Sequence, residues 1–362
     1  MPKAFRLAGR LRSSPDESPD VTPDISAELF ERAFRNLSDP ASIGRFRSDV
    51  DRAGRMGMRD GVFAKIGDSN LAAYNALYGL GCREPRLGRH AWLEPTMERY
   101  REIPLPPGQG LADQVPSVEA RRPWNSFSRA STATHSMING IHLLEPSARF
   151  TARPMGWKIE PGCRPEESIL NYEIRLLKPR FVFLNLGTNG ASYDLTSGQT
   201  AEQVGEVIEE IRRLGPVPVV FTIPPQLDRG EIQGRWKFAR EASEAIAEVA
   251  EEAGVPVFDQ WLVLSDERLV NHGMIEFDQG FFDGFHLETL GGFRAPDSLE
   301  NSVDFRPASL RYGANLRNLL LLRTLQALDA ALEAGDAGRT GNSGAGRDAG
   351  LDEDQDQATS GT

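Results

Sequence analysis

The sequence predicts an α/β fold, a parallel sheet with helices on both faces, from two observations. Residues 62–66, 181–186, 217–223 and 255–258 are short apolar runs rich in β-branched and aromatic residues, and each fits a strand buried on both sides. Helical periodicity fills the gaps, over 166–177, 201–214 and 235–253, the last closed by Gly254 as a C-cap. Strands alternating with helices of this length form βαβ units, whose strands must pair in parallel. A final helix over about 310–334 closes the domain, and no segment repeats at a fixed period.

Residues 1–24 are expected to be disordered, because Ser13, Ser14, Pro15, Pro19 and Pro23 interrupt any pattern. A short amphipathic helix follows over 25–36, with Ser26 placed to cap it, and opens a helical extension over 25–60. The main domain is expected over 61–334. Within it, residues 85–124 are rich in Pro, Gly and Arg and lack periodicity, the mark of a functional or mobile segment. Residues 335–362 carry six acids, two arginines and one large apolar residue, Leu351. Such a stretch cannot bury enough surface to offset its ordering entropy and reads as a disordered acidic tail.

Lys and Arg number 41 against 52 Asp and Glu, a net charge of −11, with no long basic run. A nucleic-acid partner is therefore not expected, since phosphate neutralisation needs clustered cations. No stretch nears the roughly 20 apolar residues of a membrane span. The first residues are basic but no apolar run follows them, so the secretory pattern is missing and the chain as given reads as cytoplasmic; a start site placed too far downstream would look the same. The two cysteines, Cys82 and Cys163, are too few for a zinc site and too far apart for a redox pair, which leaves two thiols or one disulfide. His90, His135, His142 and His272 show no metal-ligand spacing, and neither a full dinucleotide fingerprint nor a phosphate-binding loop occurs, so no metal or cofactor is expected.

Ligands of open parallel sheets bind beyond the carboxyl ends of the strands. There the sequence places Gly67-Asp68-Ser69-Asn70 and Gly187-Thr188-Asn189-Gly190, with Asp283-Gly284-Phe285-His286 in a late loop. Each alone is ordinary turn chemistry. Together they provide a serine nucleophile, an amide donor for an oxyanion, and a base with a carboxylate to orient it. The absence of Gly-x-Ser-x-Gly argues against the α/β-hydrolase elbow.

These blocks resemble the GDSL-like or SGNH hydrolases, esterases and lipases on a three-layer α/β/α sandwich with a central parallel sheet in flavodoxin-like order. The resemblance covers roughly residues 62–334. It implies Ser69 as nucleophile, with Asp283 and His286 completing the triad. Asn189 falls on the family's side-chain oxyanion donor, beside Gly187, and Gly67 and Asp68 brace the nucleophile. The family's glycine donor falls on Gly140 in Met137-Ile138-Asn139-Gly140, with Ala130 or Ser131 as the fallback. Two positions depart from the family pattern: Gly190 stands where aspartate usually follows the asparagine, and Asn70 where the name-giving motif has leucine. Neither removes a chemical role.

The resemblance implies hydrolysis of a carboxylic ester, of a short acyl group or an acetylated carbohydrate, with no cofactor. Acyl transfer to another acceptor would use the same residues, and a non-catalytic binding module on the same scaffold is the rival from another class. Trp92, Trp124 and Trp157 with Tyr100 are candidates to line a sugar or acyl pocket, a role with which core packing competes. Secretion is common among such proteins, which keeps a Cys82–Cys163 disulfide open.

Overall fold

The computed structural model describes residues 27–37, 39–73, 75–108, 119–135, 138–151, 159–228, 233–266, 274–277, 281–289 and 298–342. The expectations for residues 1–24, 343–362, Trp157 and His272 lie outside that set.

The four apolar runs become β2 (Arg59–Gly67), β3 (Pro179–Asn185), β4 (Val217–Phe221) and β5 (Val257–Phe258), paired in parallel in that order. A short β1 (Phe34–Arg35), following helix α1 (Ala27–Ala33), adds to β5 antiparallel. On the far side of β2 a single parallel bridge joins Gly67 to Thr134. The flavodoxin-like order therefore holds, with its second strand reduced to that bridge.

Side chains alternate across the sheet, as a two-residue period requires. Phe63, Phe181, Phe183, Val217, Val219, Phe221 and Phe258 face one layer, formed by α1, α2 (Pro40–Arg55), α5 (Glu94–Arg101) and the long α13 (Gly313–Asn342). Val62, Ala64, Ile66, Val182, Leu184, Val220 and Val257 face the other, formed by α6 (Gly140–Leu144), α8 (Ile169–Leu177), α9 (Ser197–Leu214) and α10 (Arg235–Glu252). The three-layer α/β/α sandwich is thus the observed architecture. Rings tile the first face: Phe63 stacks on Phe183 at 4.7 Å, Phe183 meets Phe221 edge-on at 5.1 Å, and Phe221 lies 5.8 Å from Phe258.

Short elements carry the connections: α3 (Ser69–Ala72), α4 (Tyr78–Cys82), α7 (Ala148–Thr151), α11 (Gln260–Leu264) and α12 (Ser298–Asn301). A hairpin of β6 (Met274–Phe277) and β7 (Phe281–Leu287) precedes α12. The segment read as a helical extension packs into the sandwich, where Phe46 of α2 stacks on Phe181 at 6.0 Å. At the other end, α13 runs past residue 334 to Asn342.

Candidate active site

β2 delivers Asp68 and Ser69 to the carboxyl edge of the sheet, and the Asp68 side chain caps α3 by accepting from Asn70 N–H at 3.2 Å. Its other oxygen accepts from Thr188 N–H at 2.8 Å, in the loop after β3. Asn70 Nδ2 donates to Thr188 Oγ1 at 3.3 Å, and Gln226 Nε2, from the loop after β4, donates to Thr188 O at 3.0 Å. Thr188 is therefore held by three side chains, and it fixes the position of Asn189 beside it. Gly187 has φ +120°, a backbone state that only glycine adopts without strain, and it turns the chain from β3 into this loop.

Asp68 is fully buried, and desolvation pushes its carboxyl up to about 6, against the pull of hydrogen bonds from Thr188 and Asn70 and of the nearby His286. Ser69 is likewise buried, and its Oγ makes no hydrogen bond among the described residues. An unsatisfied hydroxyl in such a place is unusual in a folded protein.

β7 lies against α3, and the link is explicit next to His286: Asn75 Nδ2 donates to Leu287 O at 2.8 Å. His286 is thus carried to the Ser69 side of the sheet. Its segment, read from the sequence as a turn or loop, is a strand; this placement is corrected because Phe281–Leu287 pairs antiparallel with β6. Asp283 falls on the same strand, and its side chain lies outside the described residues.

Asn189 Nδ2 donates to Ile138 O at 3.3 Å, which brings the asparagine to the segment that ends in Gly140. Gly140 opens α6, capped by Asn139 and His142 in a reciprocal box. A Cβ on Gly140 would stand 2.7 Å from Gln203 Cβ and 2.9 Å from Gln203 O, so the close approach of α6 to α9 already requires a glycine here. The fallback residues Ala130 and Ser131 are both buried, three and two positions ahead of Ala133, whose carbonyl accepts from Gly67 N–H.

The aromatic residues separate. Tyr100 is core, donating to Asp329 at 3.0 Å, Trp92 is 51% exposed, and Trp124 takes the Arg121 guanidinium over its ring at 5.1 Å. Cys82 and Cys163 are free thiols rather than a disulfide, each pushed up by burial. Sequence reasoning missed a set of buried cations. Lys65 donates to Phe127 O with its ammonium 3.6 Å from the Tyr78 ring centroid, and burial drives it well below the ordinary lysine range. Arg129 is paired with Glu160 and Glu173, and Arg317 sits behind the Ser69–Asn70 turn. A charged residue inside a buried strand was the one available signal, at Lys65.

Residues 162–291 match the model of the GDSL-like Lipase/Acylhydrolase family. The match takes in Gly187, Asn189, Asp283 and His286 and leaves Ser69 outside. Among solved structures, a lipase/acylhydrolase from Enterococcus faecalis aligns at 18% identity over 73% of this chain and 94% of that one, with a TM-score of 0.39. A GDSL-like lipase from Bacteroides thetaiotaomicron aligns at 10% identity over 79% and 100%, with a TM-score of 0.34. An acetyl-xylooligosaccharide esterase from Geobacillus aligns at 13% over 73% and 93%, with a TM-score of 0.35. No curated protein matches the chain.

Proposed function

We propose, for a chain whose residues 162–291 carry a GDSL-like lipase and acylhydrolase segment, that it is a serine esterase acting through an acyl-enzyme on Ser69. The observation that carries this reading is the double acceptance by Asp68. One buried carboxylate ties the Ser69 turn to the Thr188–Asn189 loop, while Ser69 Oγ makes no hydrogen bond among the described residues.

In this reading His286, oriented by Asp283, takes the proton of Ser69 Oγ as the oxygen attacks the ester carbonyl. Negative charge gathers on the carbonyl oxygen, where Ser69 N–H, Gly140 N–H and the Asn189 amide donate to it. Collapse breaks the ester C–O bond, and the proton returns from His286 to the departing alcohol. Water, deprotonated by the same imidazole, then attacks the acyl group, and the carboxylic acid leaves with Ser69 restored. Asp68 acts at one remove, by fixing the separation of the nucleophile from the Asn189 donor.

A cleft of about 390 Å³ opens beside the Asn189 loop, lined among others by Ser192, Asp194, Thr196, Arg235 and Phe238. Polar groups set beside Leu195 and Phe238 suit a hydroxyl-bearing alcohol such as a sugar as well as a small apolar group, in keeping with a carbohydrate ester or a short acyl ester as substrate.

The test is hydrolysis of p-nitrophenyl acetate and butyrate by the parent, by Ser69→Ala and by Asp283→Asn. Loss of several orders of magnitude in Ser69→Ala is expected, of the size seen when a triad serine is removed. An inactive parent, or a Ser69→Ala protein as active as the parent, rejects the esterase reading.

A further inference from the structure

Behind the candidate site, the first turns of α13 hold both of its sides. Arg317 is 1% exposed and its hydrogen-bond acceptors among the described residues are all neutral: Nη1 donates to Asn70 O at 2.7 Å and Nη2 to Asn75 O at 3.1 Å. Asn70 is the residue after Ser69. Asn75, fully buried, then donates from Nδ2 to Leu287 O at 2.8 Å, the residue after His286. Asn318 Oδ1 accepts from Leu77 N–H, and its Nδ2 donates to Asn75 O at 2.8 Å. On the histidine side, Ala314 N–H donates to Glu288 O at 2.9 Å and Thr289 Oγ1 to Asn315 Oδ1 at 3.0 Å.

A buried guanidinium with no carboxylate partner among the described residues is a costly way to fill space, because the charge is desolvated and only dipoles answer it. Burial accordingly lowers Arg317 to about 9. What the guanidinium supplies and an apolar residue cannot is a rigid planar fork, able to grip two carbonyls of one loop at fixed spacing.

We propose that Arg317 and Asn75 form a positioning relay that sets the placement of His286 against Ser69. Arg317 fixes the loop that carries Ser69, and Asn75, held by that loop, fixes the strand that carries His286. The relay rests on the esterase reading for its purpose, but its geometry is testable without turnover.

Asn75→Asp is the decisive variant. It keeps the size of the side chain and gives Arg317 a carboxylate partner, while it removes the donor to Leu287 O. A merely structural role for Asn75 predicts an unchanged enzyme. The relay predicts a folded protein with its melting temperature kept, kcat on p-nitrophenyl acetate lowered about 10- to 100-fold, and KM within about twofold, the signature of a misplaced reacting group. Histidine side-chain NMR of the full chain gives the second readout: the His286 ring resonances move or broaden while those of His90 stay in place. A folded Asn75→Asp protein with parental kcat and an unmoved His286 resonance overturns the proposal. If Asn75→Asp does not fold, Asn75→Ala is read by the same criteria. An inactive parent rejects the esterase reading alone, and the His286 resonance then decides the relay by itself.

Discussion

Asp68 shows how one side chain can join two loops. Each of its oxygens serves a different segment, so an amide in its place keeps one acceptor and a methyl keeps none. Asp68→Ala is expected to lower kcat by about 10- to 100-fold with the protein still folded, because the Ser69 turn and the Asn189 loop lose their common tether; steady-state kinetics on p-nitrophenyl acetate checks it. Lys65 gives the opposite expectation. Among the described residues it has no carboxylate partner, only Phe127 O and the Tyr78 ring, so Lys65→Met removes a desolvated amine at little loss of packing. Its melting temperature should equal or exceed the parent's. Ser69 and Asn189 were read as residue types at strand ends, and His286 in a late loop. Asn75 and Arg317 were not, because an asparagine in a turn and an arginine on a helix look like surface residues until burial is known.

At the scale of elements, caps and alternation decide where the chain turns. Thr196 and Gln199 form a reciprocal box that starts α9 at Ser197, four residues before the apolar periodicity begins. That Thr-x-x-Gln signal is in the sequence, and reading apolar spacing alone passes over it. Thr196→Ala should cost about 1 kcal/mol in chemical denaturation. The four parallel strands were readable because burial on both faces gives each a mostly apolar run. β1 and the β6–β7 hairpin were not, since β1 and β6 are only two and four residues long, and a strand that short is defined by its partner rather than by its own pattern.

At the scale of the whole molecule, two of the buried titratable groups among the described residues respond to acid in opposite senses. His135 is lowered from 6.5 to about 4 by burial, so the unfolded chain binds its proton first and the fold loses stability as the pH drops from about 6.5 to 4. Asp68 is raised from 3.8 to about 6, so the fold binds that proton first and gains stability as the pH drops from about 6 to 3.8. Each shift is worth about 3 kcal/mol, and between about pH 4 and 6 they nearly cancel. Urea unfolding from pH 4 to 7 should show a shallow dependence from this pair in the parent. His135→Phe should grow more stable relative to its own pH 7 value on acidification, and Asp68→Asn should lose stability more steeply. The short β1 has a consequence of another kind. Its pairing with β5, with Arg35 anchored to Asp259 at 2.7 Å and to Glu251, closes the last edge of the parallel sheet. A protein shortened to begin at residue 61 would leave that edge with unpaired peptide groups and bare the Phe181 face under α2, and open edges of this kind recruit strands from other molecules. The segment over residues 27–60 thus acts as a built-in guard against self-association.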